Sequence, residues 1–416
     1  MSQNLDQLFS YELRDQWELN LDVHAQRTMY NGAGVEPDAL ETVGATPLLN
    51  RLATQFSESS KVLIAQSELN GVSHFWNMPH HLLFGTSPTG VNEDIEFRGS
   101  DPFAINPFSP AYGQARPSLE LERDSSEHTR QLSLYTQNLF EIGTRWRLLV
   151  GLRYDHIEQS GNDVASSSRF DRTSDEISPR VGIVYKPTSN WSWFASFSTS
   201  VDPNEGLRPN SSGLEPTKSK SVELGLKWKS DLYPLSADAA IFGTRQTNVT
   251  TDAPGNPGFE LQTGEQESIG ADVEIKFDPT SWLSLRGHYN FVDAQIFNDT
   301  AVRNGTTPLN VTKHQVGALG LMNINLFAPD DLSISLALNY LSERQGSLVP
   351  EELSLKLPGY FKGDLFVSWR YSEKLQLEFG VENFTDENYI RGSQADGLHL
   401  FPGNPMSFRG QVNLSF

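Results

Sequence analysis

The chain has no cysteine in its 416 residues, which excludes a disulfide scaffold, a thiolate metal site and a thiol nucleophile. No apolar run approaches the ~18 residues that a membrane-spanning helix needs. Helical periodicity of useful length is also missing. Basic residues number 32 against 52 acidic, giving a net charge of −20, and that balance argues against a nucleic-acid surface. The opening MSQNLDQLFSY has neither a basic n-region nor an apolar h-region, so no signal peptide is read there. Composition does not shift along the chain, which reads as a single all-β unit.

Strict alternation is what the sequence does contain. Trp146, Leu148, Val150, Leu152 and Tyr154 face one way, with Arg147, Gly151, Arg153 and Asp155 opposite. Val222, Leu224, Leu226 and Trp228 oppose Glu223, Gly225 and Lys227, and Phe408, Val412 and Leu414 oppose Arg409, Gln411 and Asn413 in a segment ending at Phe416. In a soluble sandwich the polar set would face solvent; in a membrane barrel the apolar set faces lipid and the polar set lines a wet lumen. The tryptophans favour the barrel. All 8 lie within a few residues of short polar turns: Trp17, Trp76, Trp146, Trp191, Trp193, Trp228, Trp282 and Trp369. A ring of indoles on one rim is what a bilayer interface selects.

Short connections are expected near 14–16, 71–75, 141–145, 186–190, 230–234, 278–281, 327–331 (beside Phe327 and Pro329) and 372–374. Long ones are expected near 30–58, 88–127, 160–174, 201–218, 250–264, 295–311, 343–359 and 389–402. The two kinds alternate, as do the periplasmic turns and extracellular loops of outer-membrane barrels. The count is about seventeen antiparallel up-and-down strands. An odd number starting from the outside implies absent N-terminal strands and incomplete closure, which would leave two sheet edges unpaired in lipid and an aggregation-prone chain. Strands at 131–140 and 313–326 alternate poorly.

Seven segments occur in an order that resembles TonB-dependent outer-membrane receptors, most closely the ferrichrome-type ferric-siderophore receptors: LYTQ from Leu134, VGLRYD from Val150, SPRVGIVY from Ser178, VELGLK from Val222, GEQESIG from Gly264, LPGY from Leu357 and VENFTDENY from Val381. The resemblance is dense from about residue 128 onward. It implies that residues 1–416 form the barrel domain of such a receptor, about 17 strands of a presumed 22, without the N-terminal plug. It implies a monomer in the outer membrane, in contact with its lipid, that captures a ferric siderophore with its outer loops and is driven by the TonB complex. The coupling segment has no counterpart in this chain, so active transport by it is not expected. A passive porin-like channel is the alternative. An enzyme is not expected, since no catalytic constellation such as GxSxG is present, and no covalently bound cofactor is implied.

Rigid loop aromatics give contact area to a chelate at low entropic cost. Phe103, Phe108 and Tyr112 on the longest loop, with His399 and Phe401 on the last, are therefore the candidate ligand contacts. His74, His80 and His81 resemble a metal cluster, but adjacent strand residues point to opposite faces, so the doublet does not chelate from one side. Mixed charges facing the lumen, among them Asp155, Glu223, Asp272, Asp364, Arg153, Lys227 and Lys276, read as a solvated wall rather than acid/base machinery.

Overall fold

The computed structural model describes all residues except 1, 15, 44–45, 76–77, 205, 207, 209–212, 253–259, 299–301, 326–330, 349–353, 395–396, 398 and 416. Trp76, Phe327, Pro329 and Phe416 fall outside the described residues. Among the described residues there are twenty-two strands: β1 (Ser2–Arg14), β2 (Trp17–Val43), β3 (Thr46–Phe75), β4 (Met78–Gly99), β5 (Phe103–Ile105), β6 (Glu120–Ile142), β7 (Trp146–Asp163), β8 (Ser168–Tyr185), β9 (Trp191–Asp202), β10 (Thr217–Lys229), β11 (Leu235–Asp252), β12 (Glu260–Thr280), β13 (Leu283–Phe297), β14 (His314–Ile324), β15 (Leu332–Leu341), β16 (Arg344–Gln345), β17 (Lys356–Leu357), β18 (Tyr360–Ser372), β19 (Leu375–Glu382), β20 (Ile390–Ser393), β21 (Leu400–Pro402) and β22 (Ser407–Leu414). One antiparallel sheet holds 18 of them. Within it the three-residue β5 adds to β3, and the rest follow one another in chain order from β1 to β22. The outer pairs β16–β17 and β20–β21 form separate ribbons. Among the described residues no ladder joins β1 to β22.

Burial is inverted relative to a water-soluble fold. Val412 and Leu414 are 62% and 60% exposed, whereas Asp155 and Ser133 are each 1% exposed. This is the arrangement that lipid outside and polar side chains inside require. A charge on the lipid side would cost about 2–4 kcal/mol at mid-bilayer, so the outward sets stay apolar. Trp17, Trp146 and Trp191 open β2, β7 and β9 at one rim, and Trp228 and Trp369 lie near the ends of β10 and β18 at the same rim. Trp146 stacks on Tyr185 at 4.3 Å between centroids, and Trp191 lies 6.1 Å from Trp228. The turn at 143–145 is closed by Gly143 with φ +60°, a conformation that side chains disfavour.

Much of three expected long loops is instead strand, with residues 160–163 and 168–174 falling in β7 and β8. Residues 30–43 and 46–58 form the outer half of a β2–β3 pair whose strands run 27 and 30 residues, against the ~9–11 that span a bilayer. Half of 88–127 belongs to β4 and β6, with Phe103–Ile105 in β5. Glycines and prolines at Gly32, Gly34, Pro37 and Pro47 read locally as loop, but cross-strand pairing, with one register shift between Pro37 and Ala39, holds them extended. The turn expected at 71–75 lies further on, since Phe75 pairs with Met78.

The poorly alternating strands have a physical reason. On β6 the outward Asn138 lies 3.1 Å from Nδ1 of outward His80, whose ring packs 4.7 Å from Phe140. Partnered polar groups under aromatic cover are tolerated where bare ones are not. On β14, Leu319 and Leu321 take the lumenal register opposite Arg286 and Ser284. Lipid excludes charge from its side, but the wet side does not exclude leucine.

Candidate functional site

The lumenal wall is a registered lattice of polar groups. Asp155 accepts from Ser133 Oγ at 2.6 Å, Gln131 Nε2 at 2.8 Å and Arg153 Nε at 2.9 Å. Lys227 meets Asp238 at 2.7 Å, Arg147 meets Glu141 at 3.2 Å, and Asn290 donates to Asp272 at 2.6 Å. The charges neutralise one another along and across neighbouring strands. His80 points outward into its aromatic packing, whereas His81 points inward, 3.4 Å from Glu141. Among the described residues no group of three or more His, Asp or Glu is disposed to hold a metal ion.

Near the outer end of β6 and β7, the connection between β9 and β10 lies against this wall. The Gly206 amide donates to Glu127 Oε2 at 2.8 Å, and Gln159 Nε2 donates to the Asn204 carbonyl at 2.9 Å. Leu214 is buried there, as is the Arg123–Glu127 ion pair at 3.1 Å. The sequence marks this segment only as turn-prone, through Pro203, Gly206 and Pro216; nothing local ties it to Glu127.

The β2–β3 hairpin carries the site best suited to a ligand. Register places Arg51 opposite Phe103, and the guanidinium sits 4.4 Å from the ring centroid. The segment after β4 is laced to the hairpin: Ala53 N donates to Ser100 Oγ at 2.9 Å, and Arg116 Nη2 donates to the Thr54 carbonyl at 3.1 Å. Thr54 also donates to Glu36 at 3.0 Å. Between these strands an open cavity of about 390 Å³ is lined by Val35, Arg51, Phe103, Tyr112 and Arg116, among others. Two guanidinium-bearing residues and two aromatic rings on one concave surface can hold a planar or anionic chelate by charge and stacking.

Of the five aromatic and histidine candidates, Phe103 and Tyr112 line this cavity. His399 Nε2 lies 3.9 Å from Glu36 Oε2 and so brings the last loop to the same hairpin. Phe108 does not line the cavity but sits on a turn where Asn106 Oδ1 accepts from the Phe108 and Ser109 amides; it and Tyr112 are both 84% exposed. Phe401 sits in the β20–β21 ribbon, opposite Gly392. That ribbon is held by Arg344, which donates to the Ile390 and Arg391 carbonyls at 2.6 and 2.7 Å. Arg51 and Arg116 were missed by sequence reasoning. Continuing the strand alternation into residues 46–56 would have exposed Arg51.

A family model described as TonB dependent receptor-like, beta-barrel, matches residues 2–384. The metal-pseudopaline receptor CntO of Pseudomonas aeruginosa (strain UCBPP-PA14) is 27% identical over 425 residues, covering 100% of this chain and 59% of that protein. The ferrioxamine B receptor of Salmonella typhimurium (strain LT2) is 24% identical, covering 88% of this chain and 52% of the relative. Among solved structures, the siderophore receptor PiuA from Acinetobacter baumannii superposes with a TM-score of 0.82 at 19% identity, over 97% of this chain and 63% of PiuA. The ferric-catecholate import receptor Fiu from E. coli K12 does so with a TM-score of 0.80 at 18% identity, over 100% of this chain and 64% of Fiu. At such identities the likeness is one of fold. The chain spans somewhat over half the length of these relatives.

Proposed function

The chain belongs to the TonB-dependent receptor-like β-barrel family, and from that membership we propose that it forms the barrel wall and capture loops of an outer-membrane receptor for metal chelates of the ferric-siderophore class. The observation that carries the reading is the cavity where Arg51 lies over Phe103 beside Tyr112 and Arg116. Anionic chelates match its charge, and its rings offer stacking area without flexible side chains to order. Ferrichrome-type specificity is the narrower proposal. The ordered motifs from Leu134 to Tyr389 support it, together with the 25% identity to the Escherichia coli ferrichrome transporter over 224 residues. The match to a metal-pseudopaline receptor, over all of this chain and 59% of that protein, supports the broader class. The described residues are all strands and connections of this β architecture, so TonB-driven uptake is proposed for this wall together with a plug. A monomer embedded in outer-membrane lipid is part of the same reading.

Equilibrium binding of ferric siderophores to the wild-type chain and to Phe103→Ala and Phe401→Ala tests it. Weakened binding in Phe103→Ala places the chelate at the cavity, and a further loss in Phe401→Ala extends the contact to the last ribbon. Unchanged affinity in both variants removes these rings from the ligand site.

A further inference from the structure

The lumenal wall of β15, β18, β19 and β22 carries a cavity that chelate capture does not use. Register sets Ser335, Phe366, Gly380 and Arg409 in one row across these strands, and Ser333, Ser368, Glu378 and Gln411 in the lumenal row next to it. Together they border about 200 Å³. Sites for drug-sized ligands run from roughly 300 to 1,000 Å³, so the occupant of this one is small. Phe366 is an aromatic on a side that is otherwise polar here. Its ring lies flat over Gly380, where an added Cβ would stand 2.8 Å from the ring Cδ1. Backbone therefore covers one face of the ring, and the other is open to the lumen.

Two opposite charges face this cavity without meeting. Arg409 has Gly380 as its direct partner on β19, with Glu378 and Glu382 two residues to either side. Among the described residues its side chain has neither an ion pair nor a hydrogen bond. Glu378 Oε1 accepts from Gln376 Nε2 at 3.0 Å and from Asn413 Nδ2 at 3.4 Å, which leaves Oε2 without a partner among the described residues. Glu382 does not line the cavity. Ser333 donates to Asn323 at 2.8 Å and Ser368 accepts from Gln376 at 2.9 Å, but the Ser335 hydroxyl is unengaged. Elsewhere on this wall opposite charges close up, as Lys227 does on Asp238 at 2.7 Å. Diagonal neighbours on adjacent strands are ~7–8 Å apart between Cα atoms, a span that an ammonium and a carboxylate on one carbon can bridge. A simple anion here would be repelled by Glu378 and a simple cation by Arg409; a zwitterion satisfies both.

We infer that this lumenal cavity binds a zwitterionic α-amino acid with an aromatic or large apolar side chain. Arg409 and Ser335 donate to its carboxylate, Glu378 accepts from its ammonium group, and Phe366 stacks on its side chain. The inference rests on the lumenal face and not on the hairpin cavity, so it and chelate capture stand or fall separately.

Isothermal titration of the full chain in dodecyl maltoside micelles, with protein-free micelles as the blank, tests it. L-phenylalanine is compared with hydrocinnamate, which lacks the ammonium group, and with phenethylamine, which lacks the carboxylate. Losing one charge-assisted hydrogen bond costs roughly tenfold in affinity or more, so L-phenylalanine is expected to bind at least about tenfold tighter than either. Glu378→Gln is expected to erase the preference over hydrocinnamate, and Arg409→Gln the preference over phenethylamine. Each ratio compares two ligands on one protein, so incomplete folding of a variant does not alter it. Phe366→Leu is expected to weaken L-phenylalanine by about three- to tenfold through lost stacking. No binding of L-phenylalanine, or binding no tighter than that of either analogue, overturns the inference, as do variants that keep the wild-type ratios. D-glucose binding as tightly as L-phenylalanine would show a site for hydroxyl groups and overturn the amino-acid assignment.

Discussion

Arg51→Gln is the substitution that weighs most on the proposed capture site. The guanidinium is 4.4 Å from the Phe103 centroid in an open cavity, where a cation–π contact is worth about 0.5–1 kcal/mol, rising to ~2 when dry. Losing its attraction to an anionic chelate removes about 1 kcal/mol at water-like screening, with up to ~4 kcal/mol as the limit near a protein surface at 4 Å. The attraction to the chelate alone gives an affinity loss of about 1–3 kcal/mol, since the Arg51–Phe103 contact is present with and without ligand, or roughly five- to hundredfold in Kd. Arg51→Lys keeps the charge but loses the planar group that stacks, so it is expected to fall between wild type and Arg51→Gln. Fluorescence quenching titrations with a ferric siderophore provide the assay, with thermal unfolding to confirm that each variant is folded. A double-mutant cycle with Phe103→Ala should give a coupling of about 0.5–2 kcal/mol. A folded Arg51→Gln variant that binds as tightly as wild type would refute the reasoning, and so would zero coupling.

Leu152→Arg, on the outward face, should destabilise the chain in lipid by about 2–4 kcal/mol by refolding titration, whereas an arginine in place of lumenal Gly151 should cost much less. Asp155→Ala strips three donors of their common acceptor and should cost about 1–3 kcal/mol by denaturant unfolding. On the outer half of β7, beyond Tyr154, the Asp175 hydrogen bond holds the His156 imidazole above its ordinary range, with Glu158 helping, while Tyr154 and then His156 hold the Asp175 carboxyl below its own. Stability from the raised imidazole is present below its ordinary value and fades as pH rises through the shifted one. Stability from the lowered carboxyl is present above its ordinary value and fades as pH falls. The melting-temperature gap between wild type and Asp175→Asn should therefore be widest between about pH 4 and 6.5, and narrow on either side.

Where strand alternation coincided with an aromatic rim, as from Trp146 to Tyr154, the sequence was enough to orient the wall, because lipid enforces the pattern residue by residue. It was not enough on β6 or β14. There, Asn138 Nδ2 meets Nδ1 of His80, a residue 58 positions away, and Leu319 is merely tolerated by the lumen. The outer half of the β2–β3 hairpin was hidden because its glycines and prolines mimic loop chemistry. The capture cavity was half legible: Phe103 and Tyr112 stand out as loop aromatics, but only cross-strand register brings Arg51 to Phe103. Arg116 reaches Thr54 across 62 positions of sequence, a pairing no local pattern encodes.

The absence of cysteine makes the orientation of the wall directly measurable by single-cysteine labelling of the chain in lipid vesicles with a water-soluble maleimide. Arg153→Cys and Lys227→Cys should react, because their side chains look into water, while Val150→Cys and Leu224→Cys should stay protected by hydrocarbon. The opposite pattern, with positions 150 and 224 labelled and 153 and 227 silent, would contradict the account at its root.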